Sequence, residues 1–286
     1  MKRYCDLHTH SVFSDGTCTP SQLIQLAEEA ELAAVALCDH NTVAGLDEFH
    51  AAAEGREIEA VSGVELSTEY LGQDLHILGL YIDSAFYGEL TEMLEEVNRR
   101  KAQANRDTVE RLAADGYAID YDEICAQTPG GHINRAHLAA ALTAKGYVAS
   151  ISEAFDTLLS EKSGYYRVPQ RISAMDAIRY LKSIGAVALL AHPFFDLNEQ
   201  ELEEFLRQAL PCGLDGMEIL YSTFSESERE IARRIADKYA LVPSGGSDFH
   251  GANKPDIAIG RGRGDLFVPL SFLEAVKERK KRDKIC

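Results

Sequence analysis

The sequence predicts an α/β fold, a (βα) barrel interrupted by an all-helical insertion. Three observations carry this. Short apolar runs recur along the chain, and each delivers a histidine or a carboxylate at or just past its end. Helical stretches with apolar stripes alternate with those runs. Between about residues 95 and 163 the strand pattern disappears. Alternating strands and helices imply a parallel sheet, whose functional side chains gather at the carboxyl ends of the strands.

The first run, Cys5-Asp6-Leu7-His8-Thr9-His10-Ser11, places two histidines one residue apart. In an extended strand alternate side chains share a face, so His8 and His10 can converge on one point. Taken alone, such a pair is equally a polar strand face. After Thr19-Pro20-Ser21 a helix begins, with Thr19 or Ser21 placed to cap it and Leu23, Ile24, Leu26, Ala27 and Ala30 as its apolar stripe. The run 33–38 is apolar throughout, as in a strand buried on both faces, and ends in Asp39-His40. Residues 42–56 read as a helix. A strand over 58–64 leads to Glu65, and another over 74–81 carries His76.

Residues 89–114 form a long charged helical stretch, and 134–145 and 151–159 read as helices. The expected organisation is therefore a barrel of residues 1–95 and 164–286 with a helical insertion, 96–163, capping its mouth. The rhythm resumes with a helix over 173–184, the strand 186–191 ending in His192-Pro193, a helix over 199–210, a strand over 216–220 and a helix over 225–239. The chain then passes through Leu241-Val242-Pro243 into Ser247-Asp248-Phe249-His250. Beyond Asn253 a final strand and a basic helix are expected.

With 45% hydrophobic and 26% charged residues among 286, the composition is that of a globular protein. No window is apolar enough to span a bilayer and no secretory signal opens the chain, so a cytoplasmic location is expected. The net charge of -17, from 46 acidic and 29 basic residues, opposes stable nucleic-acid binding, which needs basic patches. The six cysteines show no Cys-x-x-Cys spacing and read as reduced thiols.

His8, His10, Asp15, His40, Glu65, His76, His192, Asp248 and His250 thus all fall at or near strand ends. They include six of the nine histidines, so one shared concavity explains them better than nine separate accidents. Each has a plainer reading by itself: Asp15 beside Gly16 as a turn, His192 beside Pro193 as a strand terminator, Asp248 as a loop anchor. Together such groups are costly to leave unpaired, and divalent cations satisfy them jointly.

The set Asp6-Leu7-His8-Thr9-His10-Ser11, Ser14-Asp15-Gly16, Asp39-His40, Gly63-Val64-Glu65, His76, Ala191-His192-Pro193 and Gly246-Ser247-Asp248-Phe249-His250 resembles the motifs of the PHP superfamily, named for polymerase and histidinol phosphatase. Within it the chain is most similar to bacterial phosphoesterases with a helical insertion, including nucleoside 3',5'-bisphosphate phosphatases. The resemblance implies a distorted (βα)7 barrel and three divalent metal ions, manganese, iron or zinc. It implies that His8, His10, Glu65 and Asp248 hold one ion, Asp15, His40 and His250 a second, and Glu65, His76 and His192 a third. The implied reaction is attack on phosphorus by a metal-bridging hydroxide. No nucleophile elbow, P-loop or dinucleotide fingerprint competes with it.

Substrate contacts are expected from cations outside the cluster: Arg135 and His137, in a segment similar to the family's Arg-x-His, with Arg167 and Lys254 as further candidates. Arginine suits a remote phosphate because its planar fork grips two oxygens. Asp39 and Glu218 are expected to support the ligands rather than to be ligands. In one respect the chain departs from the bisphosphate phosphatases, which usually continue Ala-His-Pro with Gly-Arg-Tyr; here Phe194-Phe195-Asp196 follows, without the basic group. The expected substrate is a small phosphorylated metabolite, foremost a nucleotide monoester. The alternatives are a cyclic phosphodiester of a ribose phosphate, an amidohydrolase-like reaction on carbon, and a non-catalytic metal-binding module.

Overall fold

The computed structural model describes residues 4–128, 133–168 and 170–283. Seven strands form a nearly closed barrel: β1 (Tyr4–Thr9), β2 (Ala34–Leu37), β3 (Glu59–Tyr70), β4 (Gln73–Leu80), β6 (Val187–Leu190), β7 (Gly216–Tyr221) and β8 (Val242–Gly246). Two-residue strands lie outside this ring, β5 (Ile172–Ser173) against β3 and β9 (Val268–Pro269) against β1. The path runs β8-β7-β6-β4-β3-β2-β1. Its ends meet where the Asp248 amide donates to His8 O (2.8 Å) and the His10 amide to Phe249 O (3.0 Å). Gly246 permits that closure, since a Cβ there would lie 2.4 Å from the Cβ of His8.

The α/β barrel with its inserted helices is as expected, but the sheet is not parallel throughout. β4 runs antiparallel to both β3 and β6. Leu71 and Gly72, at φ 50° and 81°, form a two-residue turn between β3 and β4, leaving no room for a crossover helix. His76 accordingly lies near the start of its strand, opposite Ser67 in the hairpin. The first half of β3 pairs with β2 and the second with β4, so Glu65 sits within a long strand rather than beyond a short one.

The outer helices are α1 (Pro20–Glu29), α2 (Leu46–Ala53), α7 (Ala174–Ser183), α8 (Glu199–Ala209), α9 (Glu226–Tyr239) and α10 (Leu270–Asp283). Thr19 caps α1 in a reciprocal box with Gln22, with Pro20 in the first turn. The helix expected over 42–56 starts later because Asn41 takes a left-handed conformation (φ 51°) and its side chain bonds the Ser67 amide. Apolar stripes of these helices cover the buried strands, as in α7, where Ala174, Ala177, Ile178 and Leu181 are fully buried.

α3 (Tyr87–Ala114) leaves the barrel as one 28-residue helix. Leu90 and Leu94 belong to the barrel core, whereas Val109 and Leu112 belong to a second cluster with Leu138, Leu142 and Leu159. α4 (Tyr121–Gln127), α5 (Arg135–Ala144) and α6 (Ile151–Asp156) build the rest of that cluster. α4 has no counterpart in the sequence reading, being only seven residues long. Among the described residues no strand falls between α3 and α6 and no helix is long and apolar enough to cross a membrane.

Candidate metal centre

Strand geometry explains how the nine groups meet. Alternation along β1 turns Asp6, His8 and His10 to one side, with Cys5, Leu7 and Thr9 on the other. All are fully buried. Three residues past Leu37, the end of β2, His40 makes an isolated parallel bridge to Glu65 on β3. His76 reaches across from β4, His192 follows β6, and Asp248 and His250 follow β8. Asn41, His192 and Asp248 have positive φ (51°, 25° and 56°). Such strain costs about 1–3 kcal/mol per residue and is maintained where the surrounding structure fixes a functional side chain.

Glu65 is the hub. Its Oε2 lies 3.3 Å from His8 Nε2 and 3.2 Å from both His10 Nε2 and His40 Nδ1. Its Oε1 lies 2.8 Å from His76 Nδ1 and 3.0 Å from His192 Nε2. Asp248 Oδ1 is 3.1 Å from His10 Nε2, and Asp15 Oδ1 is 3.1 Å from His250 Nε2. Three donor groups have ligand atoms within 4.8 Å of one another: His10, Asp15, His40 and His250; His8, His10 and Glu65; His40, Glu65 and His76.

This donor set fits metal ions better than it fits hydrogen bonding. A carboxylate offers about four lone-pair directions, and five imidazole nitrogens crowd Glu65. His40 Nδ1 is buried and makes no hydrogen bond. Mixed nitrogen and oxygen donors suit zinc, manganese or iron.

Charge in the cluster points the same way. Burial disfavours charging His8, but Glu65, Glu218 and Asp248 outweigh it and push its pKa well up. Burial likewise opposes charge on His10, and Asp248 and Glu65 still raise it to about 9. Burial, helped by the neighbouring His10 and His76, drives His40 well below the ordinary histidine value despite Glu65 and Asp15. Against the effect of burial, neighbouring histidines hold Glu65 and Asp15 well below the carboxylate range, and Lys254 with His250 does the same for Asp248. Metal binding needs unprotonated imidazole nitrogens, so cations and protons would compete for this cluster.

A supporting layer fixes the ligands. Glu218 on β7 places Oε1 3.1 Å from His8 Nδ1 and accepts the His192 amide on Oε2 at 2.7 Å. Asp39 accepts from the Ser11 amide and from the hydroxyls of Ser11 and Ser14. Two members escaped the sequence reading. Asp6 accepts from the Ser247 amide and hydroxyl and from the Gly260 amide, tying the Asp248 loop to β1. Tyr221 donates to Asp248 Oδ2 at 2.6 Å. Asp6 shares the strand face of His8, and that alternation was the signal available for it.

Two cavities meet along Asp15, His40, His76, Ala136 and Phe155. One, of about 210 Å³, is lined by Lys101, Arg135 and Arg171. Arg135 lies 4.8 Å over the Phe155 ring and 4.5 Å over that of Tyr166, and its buried Nε has no hydrogen-bond partner. Lys101 bonds Asn134 Oδ1, and burial brings its pKa down to about 8. Arg171 pairs with Asp74 at 2.8 Å. The other cavity, of about 270 Å³, contains Glu65, His192, Asp248, Lys254 and Phe195; Lys254 Nζ lies 2.5 Å from Asp248 Oδ2. His137 caps α5, its Nδ1 accepting the Asn134 amide, and lines neither cavity. Arg167 is exposed and lines neither.

The chain is similar to known proteins along most of its length. The PHP domain model matches residues 6–166. A 3',5'-nucleoside bisphosphate phosphatase of Chromobacterium violaceum is 32% identical over 247 residues, 86% of each chain. A 5'-3' exoribonuclease of Haemophilus influenzae is 31% identical over 251 residues, 87% of this chain and 91% of the relative. A solved structure from Bifidobacterium adolescentis, described as a metal-dependent phosphoesterase, matches with a TM-score of 0.85 at 30% identity, covering 96% of each chain.

Proposed function

This chain belongs to the PHP domain family and is a metal-dependent phosphoester hydrolase, and we propose that it releases phosphate from small nucleotides, nucleoside 3',5'-bisphosphates foremost. The observation that carries this is a cluster of ligand-type side chains, seven in the three donor groups with His192 and Asp248 beside Glu65 and His10, adjoining a cavity lined by Lys101, Arg135 and Arg171. A substrate with two phosphates would satisfy both regions at once.

We assign His8, His10, Glu65 and Asp248 to one ion, Asp15, His40 and His250 to a second, and Glu65, His76 and His192 to a third. When bound, divalent cations supply Lewis acidity toward the phosphoryl oxygens and lower the pKa of a water. The protein does the rest. Arg135, held between two aromatic rings, presents a pre-oriented fork to the remote phosphate. Lys101 adds a point charge beside it. Glu218 and Tyr221 keep His8 and Asp248 aimed as charge develops. Residues 96–163 would serve as a cap, contributing Lys101 and Arg135 to the cleft. A surface of net charge -17 repels a long polyanion, so the reading is of a small phosphorylated substrate rather than stably bound nucleic acid.

Protein loaded with manganese is expected to release inorganic phosphate from adenosine 3',5'-bisphosphate. His192→Ala or Asp248→Asn is expected to abolish turnover. Full activity in both variants, with metal content unchanged, would sink the mechanism.

A further inference from the structure

We propose that Phe195, which lines the second cavity together with Ile151 and Phe155, forms a stacking shelf that holds the nucleobase without reading its edge. This deepens the nucleotide reading and rests on it. Phe195 is 54% exposed. Tyr4, Leu71, Val168 and Phe267 are the other exposed large hydrophobic residues among those described, and none of them lines either cavity. Leaving an aromatic ring half in water beside a metal cluster has a natural explanation if a flat ligand covers it.

The ring is set in place. The Phe195 amide donates to His192 O at 3.0 Å, closing the short turn Pro193–Phe195. Its ring centroid is 4.8 Å from that of His192, and it meets Tyr221 edge-on at 5.1 Å and 86°. A side chain braced against a ligand histidine and a neighbour of Asp248 loses little freedom when a base stacks on it.

The other apolar lining of that cavity comes from α6 and α5, through Ile151, Phe155 and Ala136. These side chains carry no hydrogen-bonding groups. Lys101 and Arg135, which form no ion pair among the described residues, line the other cavity together with Arg171, itself paired with Asp74, whereas Lys254 on this side is paired with Asp248. The cleft therefore sorts a ligand by chemistry: phosphate toward the basic cavity, scissile phosphate at the cluster, and an aromatic, uncharged portion toward Phe195. Every base has a π-face, so such a shelf tolerates purines and pyrimidines alike.

The test compares kcat/KM for adenosine 3',5'-bisphosphate with that for the abasic ribose bisphosphate, both with manganese, in wild type, Phe195→Ala and Phe195→Tyr. The preference for the nucleotide over the abasic substrate is expected to fall about tenfold or more in Phe195→Ala, in line with the loss of one base stack. Phe195→Tyr is expected to restore it. Equal losses on both substrates, or no change in the ratio, would overturn the shelf while leaving the nucleotide reading standing. Turnover of neither substrate by wild type would overturn the nucleotide reading and the shelf with it.

Discussion

Replacing Glu218 by Gln isolates the layer behind the ligands, because the change alters one atom and one charge and leaves all nine proposed ligands in place. Two donors converge on this side chain: His8 Nδ1 at 3.1 Å from Oε1 and the His192 amide at 2.7 Å from Oε2. A carboxylate accepts both; a carboxamide has one accepting oxygen and one NH2. In Glu218→Gln one of the two donors therefore faces another donor, in a position with no exposure to water. A hydrogen bond to a charged group contributes about 1.5–3 kcal/mol, and about 1.4 kcal/mol is a factor of ten. Metal affinity at the His8 position should fall roughly 10- to 100-fold, the range typical of groups that orient metal-binding histidines. The assay is chelator-competition titration of manganese, followed by turnover at limiting and excess metal. Weaker binding whose activity deficit is largely recovered by excess metal supports the reasoning. Affinity within about twofold of wild type would refute it, as would a deficit that metal cannot repair.

Lys101 sets a pH dependence whose sign follows from burial. Its pKa of about 8 leaves it cationic below that value and neutral above, so kcat/KM for a bisphosphate should decline as pH rises through about 8. Lys101→Arg keeps the charge at higher pH, and a pH–rate profile in which it fails to shift the decline upward would disconnect Lys101 from phosphate binding. Leu138 is fully buried in the second cluster, so Leu138→Ala should cost about 2–5 kcal/mol by lost burial and cavity formation. Urea unfolding measures this, and a change under about 1 kcal/mol would show that the cluster collapses around the gap.

The proposed ligands were legible because most obey a simple local rule. His8 and His10 obey strand alternation, His40 and His192 follow short apolar runs between helical patterns, and Asp248 and His250 follow Leu241-Val242-Pro243. Glu65 was found for a partly different reason than the real one, since β3 continues past it to Tyr70. The Leu71-Gly72 turn was hidden because leucine is an unusual residue at positive φ, and with it went the reversed direction of β4. Arg171 lies in irregular chain, where no periodicity points a side chain anywhere, and Arg167 four residues earlier drew the attention instead. Lys101 had a signal that passed unused. Leu90, Leu94, Val97, Ala104 and Thr108 form the buried stripe of α3, and Lys101 falls on the same heptad spacing. A lysine on the inward stripe of an otherwise well-patterned helix was the mark of a cationic site.

That stripe makes α3 a ruler as well as a wall. It is anchored at one end by Leu90 and Leu94 in the barrel and at the other by Val109 and Leu112 in the second cluster. One residue added between Leu94 and Val109 would advance everything beyond it by about 1.5 Å and rotate it by about 100°. Added ahead of Lys101, it would swing the ammonium out of the cleft while pulling the far cluster off its facing helices. Length changes can enter the loops of the insertion freely. Within α3 even a seven-residue step, which brings the face back to within about 20°, would displace everything beyond it by about 10 Å. The distance and azimuth from the histidine and carboxylate cluster to Lys101 are thus written into the count of residues along a single helix.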